Sequence, residues 1–253
     1  MGEIQDKEKI AELCGVITGD GWIQSNEKAC FIAGDPTEDK EYYDLHLSKI
    51  VSDTIKKVEP KEFPYWGVYG ISIYGKNNIK KLISFDLPKG SKTLTAKIPN
   101  WIKKSDENIK RAFIRGLFDA DGSISCQKDY TKYANEFNSN FHTKIRWKLV
   151  SVSETLIDET LYELNKLNFR CIKRVRIRGF SNNRNNNDAY ILEINRINDI
   201  HRFFNEIKPA NPKHITRYKI WKKFGFCPPY TTISQRKDML KNKLNPYKLY
   251  KRG

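Results

Sequence analysis

The first hundred residues contain no arginine, and the chain as a whole lacks the features of several large protein classes. Its five cysteines (Cys14, Cys30, Cys126, Cys171, Cys227) are odd in number, scattered, and form no Cys-x-x-Cys pair. Neither a disulfide framework nor a zinc site is indicated, so a reducing, intracellular setting is expected. The four histidines (His46, His142, His201, His214) show no ligand spacing. No run of about 18 apolar residues is present that could cross a membrane. The polar start, Met1-Gly2-Glu3-Ile4-Gln5-Asp6, has no apolar signal-peptide segment. There is no Gly-rich phosphate loop, which disfavours a duplicated small-molecule enzyme.

What is there is a core and a strongly uneven charge. Hydrophobic residues make up 39% of 253 residues, enough for one large domain or two ordinary ones. The net charge is +16. Residues 1–100 hold 14 Lys and 15 acids, a net of −1, whereas residues 101–253 hold 32 Lys and Arg against 15 acids, a net of +17. A basic excess of this size favours a polyanionic partner.

Two stretches say nearly the same thing. Leu13-Cys14-Gly15-Val16-Ile17-Thr18-Gly19-Asp20-Gly21 is followed, 101 residues later, by Ile114-Arg115-Gly116-Leu117-Phe118-Asp119-Ala120-Asp121-Gly122. Gly15 and Gly19 are four apart, as are Gly116 and Ala120. Small residues at that spacing let two helix backbones approach closely, which would set Asp20 and Asp121 side by side. An acid is disfavoured by the helix dipole at a C-terminal end, so two of them at matching places need a compensating cation. Mg²⁺ takes oxygen ligands, often only one or two carboxylates plus phosphate and water. Asp119 has no acidic counterpart at Thr18 and is expected to be structural.

The chain reads as α+β, with the order α-β-β-α-β-β-α occurring twice. In the first repeat, helices are expected near 6–20, 38–58 (capped by Thr37) and 77–85, with Gly21 ending the first of them. Strands are expected near 22–26, 29–34 and 65–74. In the second, helices are expected near 106–120, 154–167 and 197–207, and strands near 122–127, 143–152, 170–178 and 189–195. Residues 1–100 form one repeat with a connector at 86–104, residues 105–227 the other, and 228–253 a basic tail. The aromatics of 214–224 fit a helix packed on the second repeat, and the tail beyond Pro228-Pro229 is expected to be an extended arm on a phosphate backbone.

One sheet face in the second repeat should be positive. Side chains alternate across a strand, so Lys144, Arg146 and Lys148 share one face and Ile145, Trp147 and Leu149 the other. Arg174, Arg176 and Arg178 repeat the pattern. Such strands can lie in a major groove, where Arg reads guanine edges and Lys and Arg meet phosphates. Ser123, Ser125 and Gln127 are candidates on the neighbouring strand, and Asn183 and Arg184 in the Asn-rich loop. In the first repeat the candidates Trp22, Gln24, Asn26 and Lys28 point to polar base reading with less charge.

The two duplicated stretches resemble the LAGLIDADG signature of homing endonucleases, in the single-chain, two-repeat form of archaeal and organellar members. The flank Lys97-Ile98-Pro99-Asn100-Trp101-Ile102 is similar to the family's approach to its second motif, and the resemblance covers roughly residues 7–227. It implies two pseudo-symmetric αββαββα repeats, with antiparallel sheets forming a DNA-binding saddle and the motif helices packed at the repeat interface. It also implies a monomer that cuts both strands of a long asymmetric DNA target across the minor groove, leaving short 3′ overhangs. Asp20 and Asp121 would be the catalytic acids and would hold Mg²⁺, with Mn²⁺ as a substitute, aided by the backbone carbonyls of Gly19 and Ala120. The lysine that many members place near the metals has no counterpart at 34–37 or 151–153; Lys97, Lys148 and Lys219 are the candidates. The alternatives on the same scaffold are a maturase for host intron RNA and a non-cleaving DNA-binding regulator. An intein is not expected, because the chain runs from Met1 to Lys251-Arg252-Gly253 without a Cys or Ser start or a His-Asn end.

Overall fold

A computed structural model describes residues 2–177, 180, 181, 184, 185 and 187–250, with side chains described from Lys7 onward and outside 178–186. The first repeat runs α1 (Gly2–Asp20), β1 (Gly21–Ile23), β2 (Ala29–Gly34), α2 (Lys40–Tyr42), α3 (Ser48–Thr54), β3 (Lys61–Phe63), β4 (Val68–Tyr74) and α4 (Lys76–Ser84). After a connector with the short α5 (Asn100–Lys103), the second repeat runs α6 (Glu107–Asp121), β5 (Gly122–Gln127), α7 (Glu136–Asn140), β6 (Lys144–Ser151), α8 (Glu154–Lys166) and β7 (Cys171–Arg176). It continues through the small hairpin β8 (Phe180–Ser181) and β9 (Arg184–Asn185) to β10 (Ala189–Ile194) and α9 (Ile197–Glu206). The chain ends with α10 (Pro212–Phe224), α11 (Ile233–Leu240) and a 3₁₀ turn, Pro246–Tyr250.

Each repeat forms a four-stranded antiparallel sheet, in the orders β1-β2-β4-β3 and β5-β6-β10-β7. These are the same order once the β8–β9 hairpin is set aside. Alternation does the sorting. Ile145, Trp147 and Leu149 are buried on the helix side, where Trp147 stacks on Phe118 at 4.9 Å. The α+β architecture and the pairing of the motif helices are as expected from the sequence.

Helices α1 and α6 form the junction. A Cβ on Gly15 would lie 2.1 Å from the carbonyl oxygen of Phe113, and one on Gly116 would lie 2.0 Å from that of Glu12. Backbone meets backbone at both places, so only glycine fits. Glu12 itself is buried at this junction, receiving Nε and Nη2 of Arg115 at 2.8 and 2.6 Å and lying 2.6 Å from His46 Nε2. Burial pushes its carboxyl up, but His46 and Arg115 outweigh this and hold it below the ordinary range.

Several local expectations change. Gly21 ends α1 as expected, without a left-handed conformation, and Gly122 at the end of α6 is extended, with φ −76° and ψ 165°. Glycine is required because the strand folds straight back over the helix, and a Cβ there would meet Ile17 or Phe118 at 2.2 to 2.6 Å. The helix expected over 38–58 is shorter and contains a π-turn, Tyr43–Leu47, where adjacent Tyr42 and Tyr43 are both buried. Thr37 is not its cap: Asp35 Oδ1 accepts from the N–H groups of Thr37 and Glu38, both at 2.8 Å. The strand expected near 65–74 begins at Val68, since Gly67 at φ +64° turns the chain between β3 and β4 and pairs them as a hairpin.

The tail is not an extended arm. Helix α11 carries a capping box at Thr232 and Gln235, and its Arg236 is fully buried with Nη2 2.7 and 2.8 Å from the Glu38 carboxylate. Arg217 of α10 reaches the same carboxylate at 2.9 Å, and Lys237 pairs with Glu41. Part of the tail's positive charge is therefore spent inside the molecule, strapping α10 to the start of α2. The aromatics of α10 pack as expected, with Tyr218 stacked on Phe204 at 3.8 Å.

Gly116→Ala should destabilise the protein by about 3 kcal/mol, because the added methyl forces two backbones apart. Urea denaturation measures this, and a change within experimental error would remove the close contact from the account.

Candidate active site

Asp20 and Asp121 are the last residues of α1 and α6. The helix contact continues to this end: a Cβ on Gly19 would lie 2.7 Å from Ala120 Cβ and 3.2 Å from Asp121 Oδ2. The two carboxyls are brought together as the duplicated motif requires. Both are partly open to solvent yet enclosed on most sides. Burial and then the charge of Asp121 push the Asp20 carboxyl up to about 7, with Lys213 and Lys92 opposing. Asp121 is raised by burial and drawn back by the same two lysines.

Those lysines were not among the candidates from the sequence. Lys92, in the connector, donates from Nζ to the carbonyl oxygens of Thr18 and Gly19 at 2.5 and 2.6 Å. Lys213, in the first turn of α10, donates to that of Ala120 at 3.3 Å and lies 2.8 Å from Asp39 Oδ1. A helix leaves its last carbonyls without backbone partners, and here an ammonium takes them at each motif. Asp39 is buried and also accepts from Asn211 Nδ2 at 2.7 Å. Asp119 has the structural role expected of it, accepting from the backbone N–H groups of Ala210 and Asn211 at 2.8 and 3.0 Å. The lysines named from the sequence lie elsewhere. Lys148 is paired with Glu193 at 3.0 Å, and Lys97 and Lys219 are exposed.

A cleft of about 700 Å³ opens beside the carboxyls, lined by Gly19, Trp22, Lys92, Asp121 and Ser151 among others. Among the described residues no group of three or more His, Cys, Asp or Glu forms a metal cage. Two carboxyls and two helix-end carbonyls form an oxygen-only donor set. That suits an ion which keeps several waters and shares its shell with phosphate.

The sheet of the second repeat has a cationic free face. Strand pairing sets Ser123 opposite Lys148, Ser125 opposite Arg146, and Gln127 opposite Lys144. Across β10, the same face carries Glu193 opposite Lys148, with Arg174 and Arg176 on β7. Glu193 is a residue the sequence reading missed. It is buried at the centre of this face and holds Lys148 at 3.0 Å and Arg174 at 2.9 Å. Arg178 and Asn183 lie outside the described residues, as does the side chain of Arg184.

The corresponding face of the first repeat differs from the polar surface expected of it. Trp22 pairs with Phe31, Phe31 with Ser72, Ala29 with Tyr74 and Phe63 with Val68. The face is aromatic. Gln24, Asn26 and Lys28 lie in the β1–β2 turn, where Asn26 Oδ1 accepts from the N–H of Lys28 at 3.1 Å. They form the tip of the sheet and not its surface.

Residues 108–208 match the family model for a LAGLIDADG-like domain. Across these residues the chain carries a LAGLIDADG-like domain. With two four-stranded sheets in one chain, its fold is similar to that of the homing endonuclease I-DmoI. A structure of I-DmoI with DNA and Mn aligns with a TM-score of 0.51 at 16% identity, covering 81% of this chain and 98% of that one. One with DNA and Ca aligns with a TM-score of 0.51 at 16% identity, covering 80% and 90%. At this identity the likeness is one of fold. Among curated proteins, the replication factor C small subunit of Methanocaldococcus jannaschii is 31% identical over 176 residues, which is 64% of this chain and 9% of that protein. The tRNA-splicing ligase RtcB of Methanopyrus kandleri is 34% identical over 87 residues, 31% of this chain and 9% of that protein. The chain thus spans about a tenth of the length of each. No helix among the described residues is long and apolar enough to cross a membrane.

The raised Asp20 carboxyl predicts a pH effect. The folded state holds a proton more tightly than the unfolded chain, so stability conferred by protonated Asp20 is present at low pH and lost as pH rises through about 7. Without metal, Asp20→Asn should raise Tm more at pH 8 than at pH 5, since the loss runs from the unfolded carboxyl's range, about 4, up to about 7. Equal shifts at both values in thermal denaturation would show that Asp20 titrates normally.

Proposed function

We propose that the chain is a site-specific, double-strand DNA endonuclease of the homing type, cutting across the minor groove and leaving short 3′ overhangs. The observation that carries this reading is the pair of enclosed carboxyls, Asp20 and Asp121, set at matching helix ends beside an open cleft. The I-DmoI structures with DNA and with Mn or Ca support it. Mg²⁺, or Mn²⁺ in its place, held by Asp20, Asp121 and the carbonyls of Gly19 and Ala120, would polarise the phosphate and make bound water a better nucleophile. Lys92 and Lys213 hold ammonium groups at the same place, and these can neutralise charge on the phosphoryl oxygens. In the hydrolysis, a water oxygen bonds to phosphorus, the P–O3′ bond breaks, and the departing 3′ oxygen takes a proton.

The duplex would be long and asymmetric, held by one chain acting as its own pseudo-dimer inside a cell. Residues 1–100 and 105–227 would each hold one half, with 228–253 as the strap. Ser123, Ser125, Gln127, Lys144, Arg146, Lys148, Arg174 and Arg176 are placed to meet one half-site. Arg and Lys on a strand can contact guanine edges and phosphates. Trp22, Gln24, Asn26 and Lys28 would meet the other half.

A second reading is a non-cleaving protein on this scaffold, either a DNA-binding regulator or an intron RNA maturase. The contact that favours it is Lys92, whose ammonium occupies the Gly19 carbonyl that a metal would use.

The test is incubation with Mg²⁺ and a DNA library spanning candidate intron-insertion sites, beside an Asp20→Asn, Asp121→Asn double variant. Discrete double-strand cuts should appear and vanish in the variant, and Lys92→Met should slow cutting by roughly a hundredfold. Tight, salt-sensitive binding without cuts in both proteins would select the second reading.

A further inference from the structure

The first repeat presents rings where the second presents cations. Phe31 is the hub. It stacks on Trp22 at 6.0 Å and meets Trp66, Phe63 and Tyr74 edge-on at 5.4, 6.0 and 6.1 Å. Trp66, in the β3–β4 turn, also stacks on Phe63 at 5.7 Å. Phe31 and Phe63 are half-buried at the base of this cluster, and the outer rings are open. Trp22, Trp66 and Tyr74 are 44%, 52% and 50% exposed. A continuous exposed apolar surface of this kind marks an interaction site.

Three features say what covers it. The surface is continuous with the carboxyl cleft, because Trp22 lines that cleft together with Lys92 and Asp121. Its edge is cationic. Lys61 Nζ lies 5.4 Å over the Phe63 ring, Lys89 reaches Glu27 in the β1–β2 turn at 2.7 Å, and Lys76 and Lys80 act on the same carboxylate. The middle of the face has little with which to read base edges; Ser72 is the polar side chain there. Rings at the centre and lysines at the edge suit bases on the rings and phosphates at the border. Bases within a duplex keep their faces in their own stack, so these rings suit bases that are unpaired.

We propose that the free face of the first sheet is a stacking platform for unpaired nucleic-acid bases, separate from the cationic face of the second sheet. Trp22, Trp66 and Tyr74 offer the stacking surfaces, and Phe31 and Phe63 hold them in place. Stacking uses the π-face that every base has, so the site tolerates sequence. The proposal goes beyond the endonuclease reading and does not depend on cleavage.

The test is titration of the full chain with short oligo-dT, oligo-U and a blunt duplex, read by tryptophan quenching and anisotropy. At least one single strand should bind and quench. Trp66→Ala and Tyr74→Ala should each weaken that binding by roughly tenfold, and Trp66→Phe should retain most of it. Circular dichroism checks that the variants fold. Preference for oligo-U would identify RNA as the source of the bases, and preference for oligo-dT a displaced DNA strand. The proposal is overturned if neither strand binds, or if binding is the same in a Trp66→Ala, Tyr74→Ala double variant. It is equally overturned if the double variant abolishes self-association of the chain and leaves single-strand binding unaltered. Absence of duplex cleavage by the wild type, with single-strand binding present, would count against the endonuclease and not against the platform.

Discussion

The contact on which the rest of the molecule depends is the approach of α1 to α6 at Gly15 and Gly116. With no side chain between them, the carbonyls of Glu12 and Phe113 sit against the opposite helix. This distance fixes how close Asp20 and Asp121 can come one turn later. It also fixes how the two sheets stand to each other, since each motif helix runs directly into the first strand of its own sheet. The cost is electrostatic. Two acids meet at the unfavourable ends of two helix dipoles, in partial burial. Lys92 and Lys213 offset this from outside the motifs, and Glu12 with Arg115 ties the helices together higher up.

Around this junction the two repeats have kept one topology and diverged in surface. The strand order is the same in both sheets. One free face carries Lys144, Arg146, Lys148, Arg174 and Arg176, and the other carries five aromatic rings. The division follows the charge along the chain, which is −1 over the first hundred residues and +17 over the remainder. The cationic face is not uniformly positive. Glu193 at its centre holds Lys148 and Arg174 in fixed positions, which favours recognition by preorganised side chains over a diffuse attraction. The tail's basic residues likewise divide, with Arg236 and Lys237 committed to Glu38 and Glu41.

The parts of this arrangement that sequence could reveal are those set by local spacing. The motif helices and their terminal acids follow from a nine-residue pattern repeated at a fixed offset. The face shared by Lys144, Arg146 and Lys148 follows from alternation, which a strand cannot escape. What sequence did not reveal depends on where the chain returns in space. Lys92 sits in an irregular connector and Lys213 beside a proline, and neither position says that the side chain will cap a distant helix. Some missed features did carry a local signal. Thr232 and Gln235 are a capping box for α11, and Pro64-Tyr65-Trp66-Gly67 is a turn that splits one aromatic strand into a hairpin. The aromatic face follows from that hairpin, because the turn folds Trp66 back over Phe31.

The central claim is that the glycine contact makes Asp20 and Asp121 a single, jointly acting site for divalent cations. The most direct measurement is the thermal stability of the DNA-free protein at pH 8 as Mn²⁺ is added, for the wild type and for Asp20→Asn and Asp121→Asn separately. A joint site predicts that Mn²⁺ raises the Tm of the wild type and that either single substitution removes most of the rise. An equal rise in all three proteins would contradict the account, because the ion would then be binding somewhere that needs neither carboxyl.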